Sequence, residues 1–199
     1  MRSSLLLVST LVIGCSSDPS SSAPTLYPAV TLYSGADPAA GGATYKVTIA
    51  ATGATGITWA SADTMIATVT GTDTLGTVVA KKAGSTTITA TSGGKVTSVP
   101  LTVNSYAAAD LTAGMAVANQ YMCSKAGCHA TIDISPSDIG KHTDAELLAS
   151  VTMGTNPEGG PISIGAAAHS FAVTANSASS RGIIAYMRSL PPGTPTPDL

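Results

Sequence analysis

The apolar residues of this chain change their period near Asn104, and no single regular architecture accommodates both patterns. Before that point, short runs rich in Thr, Val and Ile alternate apolar and polar residues in steps of two, with Gly, Asp and Ser between them. After it, Leu111, Met115, Ala118 and Met122 recur in steps of three and four, the stripe of an amphipathic helix. A strand pattern cannot settle as a helix, nor the reverse. Two small domains are therefore predicted: all-β over residues 26–104 and all-α over residues 105–192, with 193–199 a loose tail.

The β runs are Ala29–Tyr33, Thr44–Ala50, Gly56–Ala60, Ile66–Thr70, Gly76–Ala80, Thr86–Thr91 and Val96–Val103. Seven short, closely spaced strands predict a sandwich. Ile57-Thr58-Trp59-Ala60-Ser61, Ile66-Ala67-Thr68-Val69 and Ala80-Lys81-Lys82-Ala83-Gly84 with Thr87-Ile88-Thr89-Ala90 resemble a bacterial group 2 immunoglobulin-like domain. The resemblance implies an immunoglobulin-like sandwich in which Trp59 fills space between the sheets and Gly84 supplies a turn. Such domains also occur in adhesins. No cluster of aromatics or paired acids marks a binding site, so a spacer role is expected.

The chain opens with Met1-Arg2-Ser3-Ser4, an apolar run from Leu5 to Ile13, and Gly14-Cys15, which together form the pattern of an export leader. The run is too short to span a bilayer. Val12-Ile13-Gly14-Cys15 resembles a bacterial lipobox, which implies removal of residues 1–14 and diacylation of Cys15; the alternative is a plain signal peptide with Cys15 free. Acyl chains on Cys15 would hold the protein at a membrane, each buried methylene contributing about 0.8 kcal/mol. Ser16 after it resembles the outer-membrane-sorted lipoproteins, placing the protein in the cell envelope, facing the periplasm or the cell surface. Residues 15–25, rich in Ser and Pro and without apolar period, read as a tether.

Only 10 % of residues are charged and the net charge is −2, so no basic face awaits phosphates and nucleic acid is not expected as a partner. Three cysteines do not make a disulfide scaffold. In the helical part, Thr143-Asp144-Ala145-Glu146 has the form of a capping box opening a helix that Gly154 can end. A last helix over Ser179–Leu190 aligns Ile183, Ile184, Met187 and Leu190, and Pro191-Pro192 stops it.

Cys123-Ser124-Lys125-Ala126-Gly127-Cys128-His129 is a CxxxxCH sequence, a longer variant of the CxxCH haem-attachment motif. Two thiols can add to two haem vinyl groups, and a histidine directly after the second thiol can reach iron. A simple Cys123–Cys128 disulfide and a zinc site are the competing readings; zinc would want two further ligands at typical spacing.

The segment from Ala107 to Pro192 resembles a small class I cytochrome c, with Gly114 in the first helix and Tyr186 in the last matching the positions where that family's terminal helices cross. The resemblance implies one covalent haem c on Cys123 and Cys128, with His129 as the proximal iron ligand. Gly114 lies one residue further from its cysteine than is usual in the family, and Gly160-Pro161 stands where the family has Met-Pro. The distal ligand is accordingly open: His169 is favoured, Met153 is the alternative, and His142 is expected to be solvated near the capping box. Met115, Met122 and Met187 read as helix core positions. Thioether ligation would raise the iron potential relative to two imidazoles.

These readings together imply a lipid-anchored single-electron carrier that is not an enzyme, since no catalytic triad, paired carboxylates or phosphate loop emerges. Its partners would be redox proteins of the respiratory chain or envelope. From Ser105 onward four basic residues face seven acidic ones, which favours a basic or mixed patch on such a partner. The alternatives are a haem-based ligand sensor and a haem-free immunoglobulin-like surface adhesin or structural lipoprotein.

Overall fold

The structure is a computed structural model that describes residues 22–37, 45–121, 134–156, 160–164, 167–168, 171–173 and 177–195. The first part holds β1 (Thr25–Tyr27), β2 (Leu32–Ala36), β3 (Lys46–Thr52), β4 (Thr58–Ser61), β5 (Ala67–Gly71), β6 (Leu75–Ala80), β7 (Gly84–Ser92) and β8 (Lys95–Ser105). They form two four-stranded sheets, ordered β1-β3-β6-β5 and β2-β8-β7-β4. Pairing is antiparallel except that β2 runs parallel to β8.

The two-residue period does what it predicts. In β6 and β7 buried residues alternate with more exposed ones, because successive side chains leave opposite faces of a strand. Leu32, Val47, Ile49, Val78, Ile88, Val99 and Leu101 meet between the sheets and are essentially sealed from water. Each such aliphatic side chain contributes about 1.5–3 kcal/mol of burial free energy.

Two details depart from the expectation. The first is an additional strand, β1, at the end of the supposed tether: Thr25, Leu26 and Tyr27 pair with Thr52, Ala51 and Ala50, Pro24 is buried, and the Ser22 hydroxyl donates to the Gly53 carbonyl. Prolines on both sides disguise this run, but an edge strand tolerates them because one row of its N–H groups faces away from the sheet. The second is the place of Trp59, which from β4 fills space between the two sheets as expected, but at the rim and not at the centre. It is half-buried, its ring covers Gly71 and Gly76 of the β5–β6 hairpin so closely that a Cβ on Gly76 would lie 2.8 Å from it, and its indole N–H donates to the Thr72 carbonyl at 2.7 Å. Gly84 opens β7 with φ +149° and packs under Ile66.

Only Tyr106 and Ala107 separate β8 from the helical segment, and Tyr106 is buried. That segment holds α1 (Ala108–Gln120), α2 (Pro136–Ile139), α3 (Asp144–Met153), the two-residue strands β9 (Ser163–Ile164) and β10 (Ala167–Ala168), and α4 (Ala178–Ser189). Thr143 and Glu146 form the predicted capping box: Thr143 Oγ1 accepts from the Glu146 N–H at 3.2 Å, and Glu146 Oε2 accepts from the Thr143 N–H at 2.7 Å. Gly154 ends α3 in the left-handed conformation.

The stripe on α1 is corrected. Gly114, Val117 and Ala118 face inward, whereas Met115 is 48 % exposed; the small residues win because α4 approaches on their side. The start of the tail is held, since the Gly193 carbonyl accepts from the Ser137 hydroxyl at 2.7 Å and also from the Thr48 hydroxyl, while residues 196–199 lie outside the described residues. Among the described residues no helix is long and apolar enough to cross a membrane.

Candidate functional site

The helical segment is organised by a backbone contact. A Cβ built on Gly114 would lie 1.8 Å from the Gly182 carbonyl oxygen and 2.9 Å from Tyr186 Cβ, and one on Gly182 would lie 2.6 Å from the Gly114 nitrogen. Only hydrogens fit between α1 and α4 at this point, so both positions require glycine. Ile183, Ile184 and Ala185 of α4 are buried alongside, and Arg181 reaches Asp110 at 3.3 Å on the exposed rim. The sequence reading singled out Gly114 and Tyr186 but not Gly182. Its signal was available: a glycine inside an otherwise strong helical pattern has a packing reason.

At the end of α1 the Tyr121 ring lies 4.9 Å from that of Phe171, and the Tyr121 hydroxyl reaches the Ala172 carbonyl at 3.5 Å. The Phe171 N–H in turn donates to the Val151 carbonyl at 3.0 Å, tying this pair to α3. The structure thus brings together the residue two before Cys123 and the residue two after His169. Cys15, Met122, Cys123, Cys128, His129 and His169 themselves lie outside the described residues. Met153 closes α3 with its side chain 65 % exposed. Among the described residues no group of three or more His, Cys, Asp or Glu side chains could hold a metal ion.

A second cluster joins the helices to the sandwich. Arg188 of α4 is 1 % exposed, and each nitrogen of its guanidinium has a partner. Nε donates to Asp144 Oδ1 at 2.8 Å, Nη1 to the Tyr33 carbonyl of β2 at 2.8 Å, and Nη2 to the His142 carbonyl at 2.8 Å. The other Asp144 oxygen accepts from Asn104 Nδ2 of β8 at 2.8 Å and from the Tyr106 hydroxyl at 2.6 Å. Burial, with Asp144 adding to it and Arg188 opposing, holds the Tyr106 hydroxyl well above the ordinary tyrosine range. His142 is half-buried, with its backbone inside this cluster, rather than solvated as expected.

Nearby, Tyr45 packs 5.7 Å from Tyr106. Its hydroxyl is buried without a hydrogen-bond partner among the described residues. Burial first, then the carboxylates of Asp37 and Asp110, push it up to about 12. Gly35 makes the tyrosine pair possible, because a Cβ there would lie 2.5 Å from the Tyr106 ring and 2.8 Å from that of Tyr45. None of Arg188, Asp144 or Tyr45 was singled out from sequence as a site residue, since nothing local in the chain marks a side chain whose partners are distant in sequence.

Two facing four-stranded sheets with this order define an immunoglobulin-like β-sandwich. Residues 39–103 match the family model of the bacterial Ig-like domain (group 2), which makes this stretch such a domain. No curated protein matches the chain. Among solved structures the chain is similar to domains 5–6 of the S-layer protein SbsC (24 % identity, 42 % of this chain and 43 % of that one, TM-score 0.34). It is also similar to the longer SbsC fragment 31–844 (26 % identity, 42 % and 13 %, TM-score 0.35). Titin domain M7 is similar at 15 % identity, with 44 % of this chain and 98 % of that one covered and a TM-score of 0.31. The chain spans less than half of either S-layer fragment.

Proposed function

We propose that this chain is a non-catalytic module of the bacterial cell envelope, in which an immunoglobulin-like sandwich carries a small helical unit that binds one covalent haem c and passes single electrons. The observation that carries this reading is the crossing of α1 and α4 at Gly114, Gly182 and Tyr186. The resemblance to class I cytochromes c picked out Gly114 and Tyr186 for such a crossing. The surroundings fit as well: Tyr121, Val151, Phe171 and Val173 border the segments that hold the cysteines and His169, and they are apolar or aromatic and buried or half-buried. An apolar shell of this kind is one of the means by which a protein sets a haem potential.

In this reading Cys123 and Cys128 hold the haem by thioethers, His129 is the proximal ligand and His169 the distal one, with Met153 as the alternative. The haem supplies reversible one-electron exchange. Cys15 carries the lipid, anchoring the protein in the envelope, and the acidic balance of the helical part favours a redox partner with basic or mixed charge.

A second reading is favoured by the family match over residues 39–103: a haem-free structural or adhesive surface lipoprotein whose cysteines form a disulfide. A haem stain after denaturing electrophoresis separates the two, because only thioether-linked haem stays with the chain. Protein matured in a host with a cytochrome c assembly system is expected to stain and to show a low-spin spectrum. His169→Ala should then convert it to a high-spin, ligand-accepting form, while Met153→Ala should leave it low-spin. An unstained band sinks the haem reading. The opposite pair of spectra moves the distal ligand to Met153, and an open sixth site in the native protein favours a ligand sensor.

A further inference from the structure

We propose that Arg188 is a latch that makes the sandwich and the helical segment one cooperative body, so that the sandwich is the outer wall of the helical unit and not a detachable spacer. The guanidinium sits where β2, β8, α3 and α4 meet, and it donates to a sandwich carbonyl, Tyr33 O. Its counter-ion Asp144 belongs to α3 yet is held from the other side by Asn104 in β8 and by Tyr106 just after it. Separating the two parts would take the Tyr33 carbonyl from the guanidinium and the Asn104 amide from Asp144 at once, leaving the ion pair with fewer of its hydrogen bonds.

The sandwich edges point the same way. β2 is an edge strand, and its Tyr33 N–H donates to the Gly140 carbonyl of the helical segment at 2.6 Å. Beyond the end of β1, the Thr48 N–H of β3 donates to Ser137 Oγ of α2 at 3.3 Å. Edge strands left open are templates for wrong pairing, and here the helical segment takes up one backbone N–H at each place. The connection leaves no slack, since the Tyr106 N–H donates to the Ala36 carbonyl at 2.9 Å immediately before α1 begins. The helical unit is consequently held at a set distance and orientation from the N-terminal strand, whether or not haem is attached.

The molecule carries its own pair of probes. Its one tryptophan, Trp59, lies in the sandwich, and among the described residues all α-helices lie within 108–189. In urea unfolding of the full chain, Trp59 fluorescence and far-ultraviolet helical ellipticity are expected to share one midpoint. Arg188→Met should split them, with the helical midpoint falling by about 1 M or more while the Trp59 midpoint moves less. Asp144→Asn, which keeps the shape and removes the counter-charge, should split them in the same order and decides the matter should Arg188→Met not fold. Separate midpoints in the unaltered chain, or coincident midpoints in Asp144→Asn, would overturn the proposal.

Discussion

The sandwich and the helical segment bury themselves by different means. Between the sheets, aliphatic side chains from both faces interlock, and the loss of one neighbour is shared by many others. Around α1 and α4 the closest contact is backbone on backbone at two glycines, and the segment meets the sandwich around a buried arginine and a few hydrogen bonds. A sandwich of this kind has redundancy, so its sequence can vary while its pattern holds. The helical part rests on a few positions that accept no other residue. That contrast suits a chain in which one part supplies a frame and the other holds a group in one geometry.

The contrast can be broken or sharpened at chosen positions. The largest effect is expected from Ile88→Ala in the sandwich centre, where deletion of a sealed side chain should cost about 4 kcal/mol. Urea midpoints followed by Trp59 and by helical ellipticity should both fall. Gly114→Ala should cost about 3 kcal/mol, because its methyl would collide with the Gly182 carbonyl. With the Arg188 latch intact, both the helical and the Trp59 midpoints should fall together, by less than in Ile88→Ala. A helical midpoint that fell alone would mean that the glycine crossing belongs to a unit uncoupled from the sandwich.

Thr143→Ala removes the cap of α3 and should cost about 1 kcal/mol, read from the helical signal in thermal unfolding. It also alters an acid response. The backbone N–H and hydroxyl of Thr143 hold the Glu146 carboxyl below its ordinary value, so that stabilisation is complete above the unfolded-state value and lost as pH falls through the folded one. The unaltered chain should therefore lose more α3 stability on acidification than Thr143→Ala does.

The smallest effect at neutral pH belongs to Tyr45→Phe, which removes a buried hydroxyl without a partner among the described residues and should leave stability unchanged or raise it by up to about 1 kcal/mol. Tyr106→Phe, by contrast, deletes a bond to Asp144 and should destabilise. The sign in alkali follows from Tyr45 being raised from 10 to about 12: the unfolded chain loses that proton first, so stability is full below pH 10 and declines toward pH 12. Tyr45→Phe should flatten that decline in an alkaline unfolding titration.

Much of the frame was legible in the residues. Alternation located β2 through β8 to within a few residues, because a strand with one sealed face repeats its instruction every second position. Thr143 to Glu146 and Gly154 marked α3 because caps act locally. What stayed hidden was set by partners distant in sequence. β1 is a strand only because Ala50 to Thr52 are there to pair with it, and Met115 is displaced from the core by the approach of α4. In the candidate site Gly114 and Tyr186 were legible through resemblance, whereas the latch was not, since Arg188, Asp144 and Tyr33 are ordinary residues until folding brings them to one point.

The central claim is that the cysteines carry haem and not a disulfide, and the mass of the intact mature chain, measured under denaturing conditions after expression with a cytochrome c assembly system, tests it most directly. The account predicts a mass increased by one haem, with the double variant Cys123→Ala/Cys128→Ala losing that increment in full. A chain without added haem and two hydrogens lighter than its reduced form would contradict it, and would establish the Cys123–Cys128 disulfide in its place.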